Sequence, residues 1–86
     1  MHAVLVQVTL GDVESALEAL RNEVVPRVSQ ARGFVAGYWL EPQGDKGWST
    51  ILFESEEAAR EAVDRLQPPP MVTIDHVDVR EVVAHA

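Results

Sequence analysis

The sequence predicts an α+β fold in which two helices cover one face of a four-stranded antiparallel sheet. Three observations support this prediction. Residues 3–10 are largely apolar with the alternation of a strand, and residues 13–28 repeat their apolar positions with the period of a helix. Residues 47–66 change from a period of two to a period of about 3.6 at a single point, so a strand runs directly into a second helix. With two further strands the order is strand, helix, strand, strand, helix, strand.

The first strand, residues 3–10, has one wholly apolar face and one mixed face. The apolar face consists of Val4, Val6, Val8 and Leu10. Gln7 and Thr9 interrupt the other face, which also carries Leu5. Because polar atoms on a covered face need hydrogen-bond partners, we expect Gln7 and Thr9 to find them across an interface or in a wet pocket.

Residues 13–28 form the first predicted helix, which Asp12 caps at its N-terminus and Gly33 closes in a left-handed conformation. Pro26 interrupts the helix, because proline has no amide hydrogen to donate to the carbonyl of Asn22, at a cost of about 3 kcal/mol in a helix interior. We predict a kink or a restart between Asn22 and Pro26. The bend either fits the helix to a twisted sheet or opens a cleft beneath the helix.

A hairpin and the second helix follow. Residues 34–41 and 48–54 are predicted to be antiparallel strands, and the turn-forming segment 42–47 joins them. Ser55 is the predicted N-cap of the second helix, residues 55–66, whose first turn is acidic, as the helix dipole favours.

The last strand spans residues 71–84, after the stiff proline-rich connector 67–70. Alternation places one set of its side chains, Ile74, His76 and Asp78, on one face. The other face takes Thr73, Asp75, Val77 and Val79. Because the apolar pair 82–83 departs from this register, we expect a β-bulge near Arg80 and Glu81.

A right-handed crossover in each half of this order gives a ferredoxin-like βαββαβ fold with spatial strand order 4-1-3-2. Both helices then lie on one face of the sheet and cover Val4, Val6, Val8, Ile51 and Phe53. The opposite face carries Leu5, Leu52 and a Trp, and it is exposed in a single copy. A short chain without disulfides gains stability by association, so we predict a homodimer through the open sheet face.

Composition limits the class of protein further. The 86 residues predict one domain over 1–86. Fourteen acidic against seven basic residues give a net charge of −7, which argues against nucleic acid or an anionic membrane as a partner. The chain has no cysteine, and its three His residues lack the paired spacing of zinc ligands, so we predict no metal and no cofactor. The apolar start is too short to span a bilayer and lacks the features of a signal peptide, which predicts a cytoplasmic protein.

Two segments of the chain resemble a known family. They are residues 25–39, VPRVSQARGFVAGYW, and residues 49–59, STILFESEEAA. Both are similar to the dimeric α+β barrel superfamily, and in particular to small proteins related to the antibiotic biosynthesis monooxygenases. The resemblance covers nearly the whole chain. It implies two sheets that pack face to face about a two-fold axis, which agrees with the homodimer expected from the open sheet face.

The resemblance implies several activities, because family members include cofactor-free oxygenases, haem-degrading enzymes, isomerases and proteins without known activity. The haem-degrading members use an Asn, a Trp and a His on the second helix. Here the second helix has no His, and Asn22 lies in the first helix, so haem is disfavoured although Trp48 lies on the third strand. The resemblance therefore implies a cofactor-free oxygenase or isomerase of a small aromatic compound, or alternatively a non-catalytic small-ligand-binding or scaffold module.

Trp39, Trp48 and His76 are the candidate residues of a small-molecule pocket. Indole rings stack on flat apolar molecules, and a His can transfer a proton near neutral pH. Tyr38 and Trp39 point to opposite faces of a strand, so they cannot both line one pocket. The alternative for both Trp residues is packing in the core or a dimer interface, and the alternative for His76 is a solvated position beside Asp78. The sequence assigns no catalytic residue.

Overall fold

The computed structural model describes residues 1–86 and contains one four-stranded antiparallel sheet. Its strands are β1 His2–Leu10, β2 Phe34–Trp39, β3 Lys46–Phe53 and β4 Val72–Glu81. Their spatial order is β2-β3-β1-β4, with every pair antiparallel. This order is the one expected when each βαβ half has a right-handed crossover, and it confirms the predicted ferredoxin-like arrangement.

The first helical stretch, residues 13–29, consists of three consecutive pieces. They are α1 Val13–Ala19, a π-helical turn Leu20–Val24 and α2 Val25–Ser29. The amide of Val25 donates to the carbonyl of Leu20, five residues earlier, which is the bond pattern of a π-helix. The predicted restart is therefore present just before Pro26, because proline cannot supply the next regular hydrogen bond.

The second helix, α3 Glu56–Asp64, fixes the core against the sheet. The hydroxyl of Ser55 accepts a 3.1 Å hydrogen bond from the amide of Ala58, as its predicted N-cap role requires. Ala58 and Ala59 are buried and let the helix approach the sheet closely. They form one apolar cluster with side chains of the sheet, namely Val4, Val6, Ile51 and Phe53. The sheet face expected to lie under the helices is confirmed.

A β-bulge in β4 changes which of its side chains share a face. The register of β1 against β4 shifts between Gln7 and Val8, so the additional residue of β4 is Asp75. Ile74 therefore packs against the core together with Val77 and Val79. The grouping of Ile74 with His76 and Asp78 is wrong, because simple alternation does not hold across a bulge. The bulge expected near Arg80 and Glu81 is likewise misplaced, since β4 stays in register up to its last residue.

The face of the sheet opposite the helices is uncovered. We call it the open face and define it by its large apolar side chains, Leu5, Tyr38, Trp48 and Leu52. Tyr38 is 58% exposed and Trp48 is 41% exposed. The whole chain exposes 5667 Å², more than the roughly 5,000 Å² that a monomeric protein of this mass exposes on average. None of the helices combines the length and apolar character needed to cross a membrane.

Candidate functional site

A cleft of about 450 Å³ lies between the first helical stretch and the sheet. Seventeen of its 26 lining residues are hydrophobic. Leu17, Leu20 and Val24 line it from the helical side. Val8, Ile51 and Ile74 line it from the sheet. Its volume and apolar lining are those of a typical small-molecule site. We call it the apolar cleft.

The cleft exists because the two helical parts approach the sheet differently. Helix α3 packs on β1, β3 and β4, and α2 packs on β2, whereas α1 has no comparable contact with any strand. The side chains that β3 points towards the helices grow from Gly47 and Ser49 at one end to Ile51 and Phe53 at the other. Space remains under α1 and the π-helical turn, where β3 contributes the small residues Gly47 and Ser49.

The polar part of the cleft lining is cationic or neutral. Its polar side chains are Arg27, Gln30, Ser49, Arg65 and Gln67. The lining contains no Asp, Glu, His or Tyr, although the chain holds fourteen acidic residues. The guanidinium of Arg27 donates a 3.3 Å hydrogen bond to the backbone carbonyl of Gln67 and belongs to none of the six ion pairs of the chain. Arg65, in contrast, lies 3.4 Å from a carboxylate oxygen of Glu61.

The structure divides the three predicted pocket residues between the two faces of the sheet. Trp39 packs against the core, and its ring lies so close over Gly37 that a Cβ there would come within 2.7 Å of it. Trp48 lies on the open face and also borders the apolar cleft at the end of β3. His76 is exposed on the open face, across Gln7 from Trp48 in the strand register. Trp48 and His76 thus share a face, and Trp39 is apart from both.

The open face carries a polar edge along β4. The hydroxyl of Thr9 donates to Asp75 at 2.5 Å and accepts from the ammonium of Lys46 at 2.7 Å, so this strand hydroxyl has its partners within the chain. Further along β4, Arg80 donates to Asp78 at 2.6 Å. That hydrogen bond, aided by the Arg80 charge, lowers the pKa of Asp78 below its ordinary value of 3.8.

Comparisons with known proteins add no family to these observations. No family model, curated protein or solved structure matches the chain. No three His, Asp or Glu side chains come together in a way that would hold a metal ion. The structural evidence for a function therefore consists of the geometry of the apolar cleft and of the open face.

Sequence reasoning missed most of the residues that line the cleft. Leu20 and Val24 belong to the stripe of the first helix, which predicts core packing rather than a lining. Two signals could have indicated the cleft. One signal is Pro26, because a bend that opens a cleft beneath the helix is one of its two interpretations. The other is a pair of small residues at alternate positions of one strand, Gly47 and Ser49.

Proposed function

We propose that this protein binds a small apolar molecule in the apolar cleft and does so as a homodimer. The observation that carries the proposal is the cleft itself, about 450 Å³ in volume with 17 hydrophobic residues among the 26 that line it. A small apolar molecule in a space of this size and lining gains packing contacts with the surrounding apolar side chains. Its binding stabilises the folded chain by mass action.

The open face supports the homodimer part of the proposal. Strands about 4.8 Å apart, with residues about 3.3 Å apart along each strand, give this four-stranded face a plan of roughly 20 by 25 Å. That plan is of the same order as the about 800 Å² that each partner buries in a standard interface. Leu5 and Trp48 lie on adjacent strands of this face and remain 36% and 41% exposed in a single copy. A second copy packed sheet to sheet is the arrangement of a dimeric α+β barrel.

The relation to the antibiotic biosynthesis monooxygenases is the finer part of the proposal. It is supported by the resemblance of residues 25–39 and 49–59 and by the ferredoxin-like strand order. An oxygenase or isomerase of a small aromatic compound is the second candidate. Such chemistry needs a group that moves a proton at the ligand. The cleft offers the hydroxyl of Ser49, two amides and two guanidiniums, so we place ligand binding first.

A titration with the neutral fluorescent probe N-phenylnaphthylamine tests the proposal. We expect saturable enhancement of the probe's fluorescence, since it brightens in apolar surroundings. Ser49→Phe places a large ring in the cleft and should weaken binding at least tenfold. Ser49→Ala keeps the space open and should leave binding unchanged. Absence of saturable binding to the wild-type protein, or equal binding by both variants, contradicts the proposal.

A turnover assay tests the second candidate. Quinones and anthrones incubated with the protein in aerated buffer should give turnover, followed by oxygen uptake or by their absorbance, if the protein is an oxygenase or isomerase of such compounds. Binding of these compounds without turnover supports the binding function over the catalytic one.

A further inference from the structure

We infer that the ligand of the apolar cleft is an amphipathic anion, with an apolar body inside the cleft and a carboxylate, sulfonate or similar group at its mouth, held by Arg27. This inference rests on the proposed binding function and adds the chemical class of the ligand. It follows from the charge of the cleft lining and from the position of one guanidinium.

The charge of the lining differs from that of the chain. The protein has a net charge of −7 and fourteen acidic residues among 86, so 26 residues taken evenly from it would hold about four acids. The cleft lining holds none, and its only charged side chains are Arg27 and Arg65. A cleft whose lining carries only positively charged groups, with apolar walls of low dielectric, attracts an anion and raises its local concentration.

The guanidinium of Arg27 lies at the mouth of the cleft and has N–H donors available for the anionic group. The residue lies in α2 at the exposed edge of the cleft, where its guanidinium donates to the carbonyl of Gln67 in the connector on the other side. This bond spans the mouth and leaves the other N–H donors of the guanidinium available. No carboxylate pairs with it, whereas Arg65 is held by Glu61. A planar guanidinium with free donors suits a bidentate contact with an oxyanion.

The position of Arg27 also determines how the ligand lies. The apolar lining of the cleft is contributed by side chains deep between helix and sheet, such as Val8 and Ile51, while the two cations are on the solvent side. A charged group moved to the deep end would lose its hydration without gaining a partner, which is costly. The body of the ligand therefore points inward and the charged end remains near water.

Two probes with the same aromatic body test the inference. Anilinonaphthalene sulfonate carries an anionic group, and N-phenylnaphthylamine lacks it. We expect Arg27→Gln to lower the affinity for the sulfonate probe by about fivefold to tenfold, the size of a charge-assisted contact near solvent. The affinity for the neutral probe should not change. Arg27→Lys, which keeps the charge but not the fork, should give an intermediate loss. Arg21→Gln removes a cation that is outside the cleft lining and should change neither probe.

The outcomes separate the inference from the function on which it rests. Equal loss of both probes in Arg27→Gln overturns the inference, because it shows that the residue only holds the connector through Gln67. An unchanged affinity for the sulfonate probe also overturns it and leaves binding of apolar molecules intact. If the neutral probe does not bind the wild-type protein at all, the proposed function fails and the inference fails with it. Raising the salt concentration should weaken only the sulfonate probe.

Discussion

Leu5→Lys tests whether the open face is the surface through which two copies pair. Leu5 lies on the central strand β1, between Thr50 of β3 and Asp78 of β4. Full burial of a leucine is worth about 1.5–3 kcal/mol. Because 36% of Leu5 is exposed in one copy, covering this exposed part in a dimer contributes about 0.5–1 kcal/mol per copy and about twice that per dimer.

The introduced charge adds a larger effect. A lysine buried at the interface costs several kcal/mol unless it is paired. Because the two copies are related by a two-fold axis, each dimer would bury two such lysines. We therefore predict that the variant loses at least about 3 kcal/mol of dimer stability, which raises the dissociation constant of the dimer by more than a hundredfold. In the folded single copy the lysine can reach water, because Leu5 is 36% exposed there.

Sedimentation velocity over a dilution series measures this effect. The wild-type protein should sediment at twice its chain mass of 9.5 kDa, and the variant should sediment as a single chain with an unchanged circular dichroism spectrum. Asn22→Lys adds the same charge on the exposed helical side and should leave the dimer intact. Pairing through the open face is excluded if Leu5→Lys remains as dimeric as the wild-type protein, or if Asn22→Lys dissociates to the same extent.

Two further predictions concern the stability and the charges of the fold. Gly33→Ala should lower the free energy of unfolding by about 2–4 kcal/mol, because Gly33 has a φ of 77° and an added Cβ would lie 2.7 Å from the Cβ of Ala58. The control Gly44→Ala, at a φ of 61° with no atom nearby, should lower the free energy of unfolding by only about 1 kcal/mol. Equal losses for the two variants in urea unfolding would contradict the close contact at Gly33. Arg80→Gln should raise the pKa of Asp78 towards 3.8 in an NMR titration, because Arg80 is the main cause of its depression. Because the pKa of Asp78 is lowered in the folded state, the pair stabilises the protein fully at a pH above the ordinary pKa and loses this effect as the pH falls through the folded-state pKa. The stabilities of the wild-type protein and the variant should therefore converge at acidic pH. An unchanged pKa of Asp78 in the variant would contradict the role of Arg80.

The sequence predicts the elements of this fold because local signals and hydrophobic period agree along most of the chain. Asp12 and Ser55 both accept the capping hydrogen bonds that their positions at the helix starts predict. The restart at Val25 follows from Pro26 alone. These features depend on neighbouring residues, so the sequence carries them without knowledge of the tertiary structure.

The faces of β4 and the residues of the site depend on contacts distant in sequence. Ile74 and Val77 are three residues apart, so their shared apolar character conflicts with simple alternation, but the sequence does not say which residue between them forms the bulge. The cleft lies beside α1, which makes little contact with the sheet, whereas α3 and α2 pack on it; these contacts join residues far apart in the sequence. The separation of Trp39 from Trp48 follows from the register of the β2–β3 hairpin, in which Trp39 pairs with Ser49. A tight turn at 44–45 closes the hairpin through backbone hydrogen bonds between Gln43 and Lys46. The sequence predicts a turn-forming segment here but not which of its residues close the turn.

A small apolar molecule bound between the first helical stretch and the sheet should change the NMR signals of the residues that line the apolar cleft. Amide chemical shifts of isotope-labelled protein during a titration with N-phenylnaphthylamine locate the bound molecule directly. We expect the largest changes in chemical shift at residues that line the cleft, such as Leu20, Val24 and Ile74, and we expect them to saturate at the same probe concentration as the fluorescence. Shifts confined to open-face residues such as Leu5 and Thr50, or no saturable shifts at all, would contradict binding in the apolar cleft.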